Sequence, residues 1–118
     1  MITCAMCDDE LPFAEQLRSF VMAYAKKRRV ELQAETFASA EELLEEIENG
    51  AGFEILFLDI EMRKMDGIEL GKKLRERSYQ TLIIYVSGYD QYMRQLFEAE
   101  PFRFLSKPLK QEELENVL

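Results

Sequence analysis

Asp8 and Asp9 stand together directly after the apolar segment Ile2–Cys7, and a third acid, Asp59, closes the apolar run Ile55-Leu56-Phe57-Leu58. Ser87 and Lys107 end two later apolar runs. Two adjacent carboxylates beside a third repel one another unless a cation neutralises them. Mg²⁺ suits such a set, because it takes one or two protein carboxylates and keeps positions for water and phosphate oxygens. A carboxylate directly after a buried strand can itself attack phosphorus and form an acyl phosphate, a role that falls to Asp59. The Ser87 hydroxyl can donate to one phosphoryl oxygen, with Gly88 leaving space for close backbone approach, and Lys107 can bring a positive charge to a second. Together the five residues describe a Mg²⁺-assisted phosphoryl-acceptor site, since phosphoryl transfer is catalysed by positioning and charge neutralisation.

Each residue alone has an ordinary reading. Asp9 or Glu10 can cap a following helix, Asp59 and Ser87 can be turn residues, and Lys107 can be a surface lysine. Their arrangement, one chemical role at each strand end, is what favours chemistry. Pro108 holds Lys107 towards extended geometry and admits a cis Lys107–Pro108 peptide, which would fix where the ammonium points.

The elements that must position these residues follow from periodicity. Apolar runs of strand length at 2–7, 30–37, 53–58, 82–87 and 102–105 alternate with segments of helical period. Leu11, Ala14, Leu17, Val21 and Tyr24 fall on one helical face, and Leu43, Leu44 and Ile47 on another. Ser39-Ala40-Glu41-Glu42 reads as a capping box that opens the second helix, and Asn49-Gly50 ends it. The segment 109–118 begins a helix with Leu114, Val117 and Leu118 on one face, and the natural protein is expected to continue beyond it. Nearly continuous apolar strands joined by helical crossovers predict a parallel sheet with helices on both faces. Ligands in such sheets sit beyond the carboxyl ends of the strands, where all five candidate residues lie.

Composition narrows the function. A chain of 118 residues that is 47% hydrophobic accommodates one domain with a real core. Its net charge of −8 argues against direct contact with nucleic acid or an anionic membrane, which are held by clustered Lys and Arg. The basic run Lys26-Lys27-Arg28-Arg29 suits the C-terminal dipole of the first helix instead. No segment has the length of a membrane span and the chain opens straight into a strand, so a cytoplasmic location is expected. Cys4 and Cys7 form a C-x-x-C inside that strand, with acids following that would raise a thiol pKa and no His to complete a zinc site, so both are expected to be buried and structural. Met62, Met65 and Tyr92 are read as closing the core, with a partner surface as the alternative.

Cys7-Asp8-Asp9-Glu10, Leu58-Asp59-Ile60-Glu61-Met62 with Met65-Asp66-Gly67-Ile68, Val86-Ser87-Gly88 and Phe104-Leu105-Ser106-Lys107-Pro108-Leu109 together resemble the receiver domain of bacterial two-component response regulators over essentially the whole chain. The run Ser87-Gly88-Tyr89-Asp90-Gln91-Tyr92, with Phe97 and Phe102-Arg103-Phe104-Leu105, is most similar to receivers attached to LytTR-type DNA-binding domains. The resemblance implies a doubly wound α/β fold of the flavodoxin/CheY type, with five parallel strands in the order 2-1-3-4-5. It implies that Asp59 accepts a phosphoryl group from a sensor histidine kinase, and that Asp8, Asp9, Asp59 and the Glu61 backbone carbonyl hold Mg²⁺. Ser87 and Lys107 would bind the phosphate, and Ser87 and Phe104 would form a switch that remodels the helix after the fourth strand and the fifth strand. Residues 1–118 would be a non-enzymatic receiver that controls a C-terminal output domain, expected to bind DNA and regulate transcription, with homodimerisation on phosphorylation. Two departures stand out: Arg63 replaces a common proline, and Phe104 replaces a common tyrosine, keeping the ring but losing the hydroxyl.

Two other functions compete. A haloacid-dehalogenase-like phosphatase also uses a strand-end Asp, a Ser or Thr, a Lys and paired acids, but there the nucleophile comes first and the pair last, the reverse of the order here. A receiver-like module that binds partners without phosphorylation is the other, and the presence of all five site residues weighs against it.

Overall fold

β1 (Ile2–Cys7) sends Cys4 and Met6 into one core and Ala5 and Cys7 into another, and all four side chains are buried. That period-two division repeats in β3 (Ile55–Asp59), where Phe57 faces one way and Leu56 and Leu58 the other, and in β4 (Leu82–Ser87), where Ile84 and Val86 oppose Ile83. A strand buried on both faces must be covered on both faces, which is why helices pack on each side of the sheet. These relations come from a computed structural model that describes residues 1–77, 79–88 and 103–118, apart from the Val117 side chain.

The sheet has five strands in the order β2-β1-β3-β4-β5, with β2 at Leu32–Phe37 and β5 at Arg103–Ser106, and every pairing is parallel. One face carries α1 (Leu11–Arg28) and α4 (Gln111–Val117), the last helix of the described residues, around Leu17, Val21, Phe57, Leu105 and Leu114. The other carries α2 (Ala40–Glu48) and α3 (Gly67–Glu76) around Leu43, Leu56, Leu58, Leu70 and Leu74. The expected class and strand order are both observed.

Local details refine the expectation. The second strand starts at Leu32 instead of residue 30, because Arg29 takes a left-handed conformation and the Val30 N–H closes α1 by donating to the Ala25 carbonyl. Phe53 precedes β3 and is fixed from outside the ladder: its N–H donates to the Tyr79 hydroxyl at 2.6 Å, and its ring meets Phe37 edge-on at 5.9 Å. On α1 the buried stripe is Ala14, Leu17, Val21 and Ala25; Leu11 is 49% exposed and Tyr24 only half-buried. Leu11 is the first helical residue, one turn before the buried stripe begins at Ala14.

The Ser39 cap is observed, with its hydroxyl accepting from the Glu42 N–H at 3.1 Å, but Glu42 reaches back to the Ala38 N–H instead of that of Ser39. Asn49 is the C-cap of α2, and Gly50 follows at φ +101°, where a side chain would be strained. The basic end of α1 is solvated as expected, with Lys27 paired to Glu115 of α4 at 3.2 Å. Cys4 and Cys7 are three residues apart on a strand and so lie on opposite faces of the sheet, both buried and both free. Burial pushes the Cys4 thiol up to about 12 and raises Cys7 as well, with Asp8 and Asp59 adding to the latter. No helix among the described residues is long and apolar enough to cross a membrane.

Candidate functional site

The reversal of strand order falls between β1 and β3, and the sheet ladder runs one step past the strand ends there. The Asp8 N–H donates to the Phe37 carbonyl at 3.0 Å, the Ile60 N–H to Val86 at 3.0 Å and the Lys107 N–H to Ser87 at 2.9 Å. Asp8, Asp59, Ser87 and Lys107 are therefore fixed by backbone pairing to a neighbouring strand. Asp8 follows β1, Asp59 is the last residue of β3, Ser87 is the last of β4, and Lys107 follows β5 with a cis peptide to Pro108.

The side chains converge. Oxygen atoms of Asp8, Asp9 and Asp59 all lie within 4.8 Å of one another, with Asp8 and Asp59 buried and Asp9 exposed. The Lys107 ammonium stands 3.2 Å from Asp8 Oδ2 and 3.4 Å from Asp59 Oδ1. Its position is supported from below by the Phe13 ring of α1, whose centroid is 4.3 Å away. Asp8 Oδ1 accepts the Glu10 N–H at 2.8 Å, so Asp8 shapes the entry to α1 while its other oxygen faces the site. Glu10 is the N-cap of α1 without a side-chain cap bond; neither it nor Asp9 plays the capping role open to them in the sequence.

Charge is not balanced in this cluster. Burial, then the neighbouring Asp8 charge, pushes the Asp59 carboxyl up to about 7 against the opposing pull of Lys107 and the Glu61 N–H. Burial likewise raises Asp8, in spite of the Glu10 N–H and Lys107. For Lys107 burial acts to lower the ammonium, and the two carboxylates outweigh it, so its net shift is upward. Asp8 Oδ2 and Asp59 Oδ1 are buried without a hydrogen-bond donor of good geometry, although each is near the ammonium. Two buried acids facing one lysine, with Asp9 at the mouth, are short of positive charge, and a small divalent cation with oxygen preference fits that deficit.

Ser87 is wholly buried, and its hydroxyl donates to a carboxylate oxygen of Glu61. That side-chain contact has no signal in the sequence, where Glu61 counts for its backbone carbonyl. Two glycines also change places in importance. A Cβ on Gly88 would meet only Lys107 Cβ at 3.8 Å, an ordinary contact, so Gly88 is not required for a close backbone approach. Gly67 is: a Cβ there would stand 2.3 Å from the Asp59 carbonyl oxygen, and its N–H already donates to Ile60 at 3.1 Å. In the sequence Gly67 counts only as part of the Met65-Asp66-Gly67-Ile68 stretch, where Asp66 caps α3 by accepting the Glu69 N–H at 2.8 Å.

Met62 is buried against the Cys7 thiol, Met65 packs partly on the same core, and Arg63 is exposed. Phe104 is half-buried and packs with Tyr85 against Ile60 and Ile68. Tyr92 and the stretch 89–102, with much of the LytTR-type likeness and the helix expected after the fourth strand, lie outside the described residues.

The model of the response regulator receiver domain matches residues 5–118. An uncharacterized response regulatory protein of Yersinia pestis is 32% identical over 118 residues, covering 100% of this chain and 47% of that protein. The sensory transduction protein LytT of Bacillus subtilis is 27% identical, again over 100% of this chain and 47% of the relative, which supports the likeness to LytTR-type receivers. The chain thus spans about half the length of these curated relatives. The structure of the Vibrio cholerae chemotaxis protein CheY4 superposes with a TM-score of 0.74 at 22% identity, over 99% of this chain and 95% of that one, and shares the fold. With the family match running almost from end to end over a strand-end cluster of this kind, the chain belongs to the response regulator receiver domain family.

Proposed function

We propose that Asp59 is the phosphoacceptor of a phosphorelay and that Lys107 and Ser87 receive the phosphoryl oxygens. The observation that carries this reading is the placement of a buried, charge-deficient Asp59 carboxylate at the end of β3, 3.4 Å from the Lys107 ammonium. A sensor histidine kinase is the natural donor for such a site. An Asp59 oxygen forms the P–O bond as the P–N bond of the phosphohistidine breaks, and the electron pair stays on the imidazole nitrogen. Asp8, Asp9 and Asp59, with the Glu61 carbonyl, would hold Mg²⁺, which supplies positive charge to the transferring phosphoryl group when bound. Lys107 would neutralise a phosphoryl oxygen, held in place by the Phe13 ring and the ladder bond of its own N–H.

Residues 1–118 act as a non-enzymatic, cytoplasmic receiver that switches an output domain C-terminal to it. The relatives' greater length leaves room for such a domain, and the likeness to LytT favours one that binds DNA and regulates transcription, with dimerisation on phosphorylation as one route of control. The receiver itself carries a net charge of −8 and does not need to touch nucleic acid.

Intact mass of the purified chain after incubation with acetyl phosphate tests the site. One phosphoryl adduct that requires Mg²⁺ and is absent from Asp59→Asn is expected. No adduct, including with a spread of histidine kinases, would favour the phosphorylation-independent module, and turnover of a phosphate ester would favour the phosphatase.

Ser87 and Phe104 would transmit the event, Ser87 moving towards the phosphoryl group and the half-buried ring following inward. The expected result is a changed Phe104 ring environment by NMR when beryllofluoride and Mg²⁺ are added. An unchanged Phe104 with Asp59 fully occupied would remove it from the switch.

A further inference from the structure

The Ser87 hydroxyl, which the phosphoryl group would need, is already engaged by Glu61. Glu61 reaches it from a loop anchored at three points: Ile60 is buried and its N–H is bonded to β4, Met62 is buried against Cys7, and Gly67 closes the loop onto the Ile60 carbonyl. With its neighbours turned into the core on both sides, the half-buried Glu61 side chain is directed across the mouth of the site to a hydroxyl that is itself wholly buried. A carboxylate oxygen accepting from Ser87 has the charge and acceptor chemistry of a phosphoryl oxygen. The contact is thus a resting-state substitute for the one that phosphorylation would make.

We infer that the Glu61 carboxylate is a built-in competitor of the phosphoryl group: it holds Ser87 in the unphosphorylated state and must release it before Asp59 can be stably loaded. This rests on Asp59 being the phosphoacceptor. Two effects oppose loading and both reside in one side chain. The hydroxyl must exchange one anionic acceptor for another, which removes most of the gain from the new bond. The displaced carboxylate then stays close to a phosphoryl group of the same sign. Glu61 acts through Ser87 and is a positioning residue, with its side chain working against the reaction to which its backbone carbonyl contributes.

The test is the rate of phosphorylation by acetyl phosphate at saturating Mg²⁺, followed by intact mass, in wild type, Glu61→Ala, Glu61→Gln, Ser87→Ala and the Glu61→Ala/Ser87→Ala double variant. In this reaction Asp59 forms the new P–O bond and acetate leaves with the electrons of the old one. Glu61→Ala is expected to load about tenfold faster than wild type, the size of effect of one hydrogen bond to a charged group, and Glu61→Gln less than that because it keeps an acceptor but not the charge. In the Ser87→Ala background the gain should shrink to the part that charge repulsion alone supplies, since the competitor no longer has a hydroxyl to hold. Loading of Glu61→Ala at or below the wild-type rate overturns the inference, and so does a gain undiminished without Ser87. A wild type that takes no phosphoryl group overturns the phosphoacceptor reading itself, an outcome distinct from a loaded wild type with indifferent Glu61 variants.

Discussion

Asp59→Asn is expected to melt several degrees above the wild type at pH 8 in metal-free buffer, although it removes the residue on which the proposed chemistry depends. Asp8 and Asp59 are both buried and share one ammonium, so the ionised pair carries an excess negative charge that water cannot screen. The Asp59 carboxyl is raised from 3.8 to about 7, which means that the folded chain holds its proton more tightly than the unfolded chain. Between those pH values the native state binds more protons, and the stability contributed by this group falls as pH rises. It is fully present near pH 4, declines towards pH 7 and is lost above it.

Asparagine stays neutral throughout and avoids the loss, so its advantage should be greatest at pH 8 and vanish near pH 4. A difference of the order of 5 °C at pH 8 corresponds to about 1 kcal/mol in a domain of this size. Mg²⁺ should reverse the order, because a cation that binds only the folded acidic cluster stabilises the wild type by mass action and finds one carboxylate fewer in the variant. Thermal melts at pH 4.5 and 8, with EDTA or Mg²⁺, read all of this. A variant that melts below the wild type at pH 8 in EDTA would show that Lys107 already balances the pair.

Gly67→Ala should damage the fold and the site together. Its Cβ would lie 2.3 Å from the Asp59 carbonyl oxygen and 2.9 Å from the carbonyl carbon, and both are backbone atoms at the end of a central strand. Neither can turn aside as a flexible side chain would, so α3 or the end of β3 must move, and about 2–4 kcal/mol of stability is the expected cost. Since Asp59 is the residue that would be displaced, phosphoryl loading should fall further than unfolding alone explains. Gly52→Ala is the matched comparison, because nothing lies within 4 Å of a Cβ there, and it should be close to neutral. Chemical denaturation of the two variants measures the contrast; equal midpoints would mean that the β3–α3 loop yields easily.

The layers, the parallel sheet and the five strand-end residues were legible in the sequence. Burial on both faces repeats along β1 and β3, and on one face along α1 and α2, with periods that survive in one dimension, so Leu17, Val21, Leu43 and Phe57 could be placed without coordinates. Asp8, Asp59, Ser87 and Lys107 were legible for the same reason: a polar residue that ends an apolar run marks the end of a strand, and parallel strands bring their ends together.

Tertiary structure decided what depends on the path of a loop across those ends. Glu61 and Ser87 are 26 residues apart, and no periodicity relates them; they meet because Ile60 and Met62 are drawn into the core on either side of Glu61. The choice of Gly67 over Gly88 as the crowded position, the exposure of Leu11 and the late start of β2 are of the same kind. Each is set by the distance between two backbones that local pattern does not encode, and packing at van der Waals contact makes that distance unforgiving.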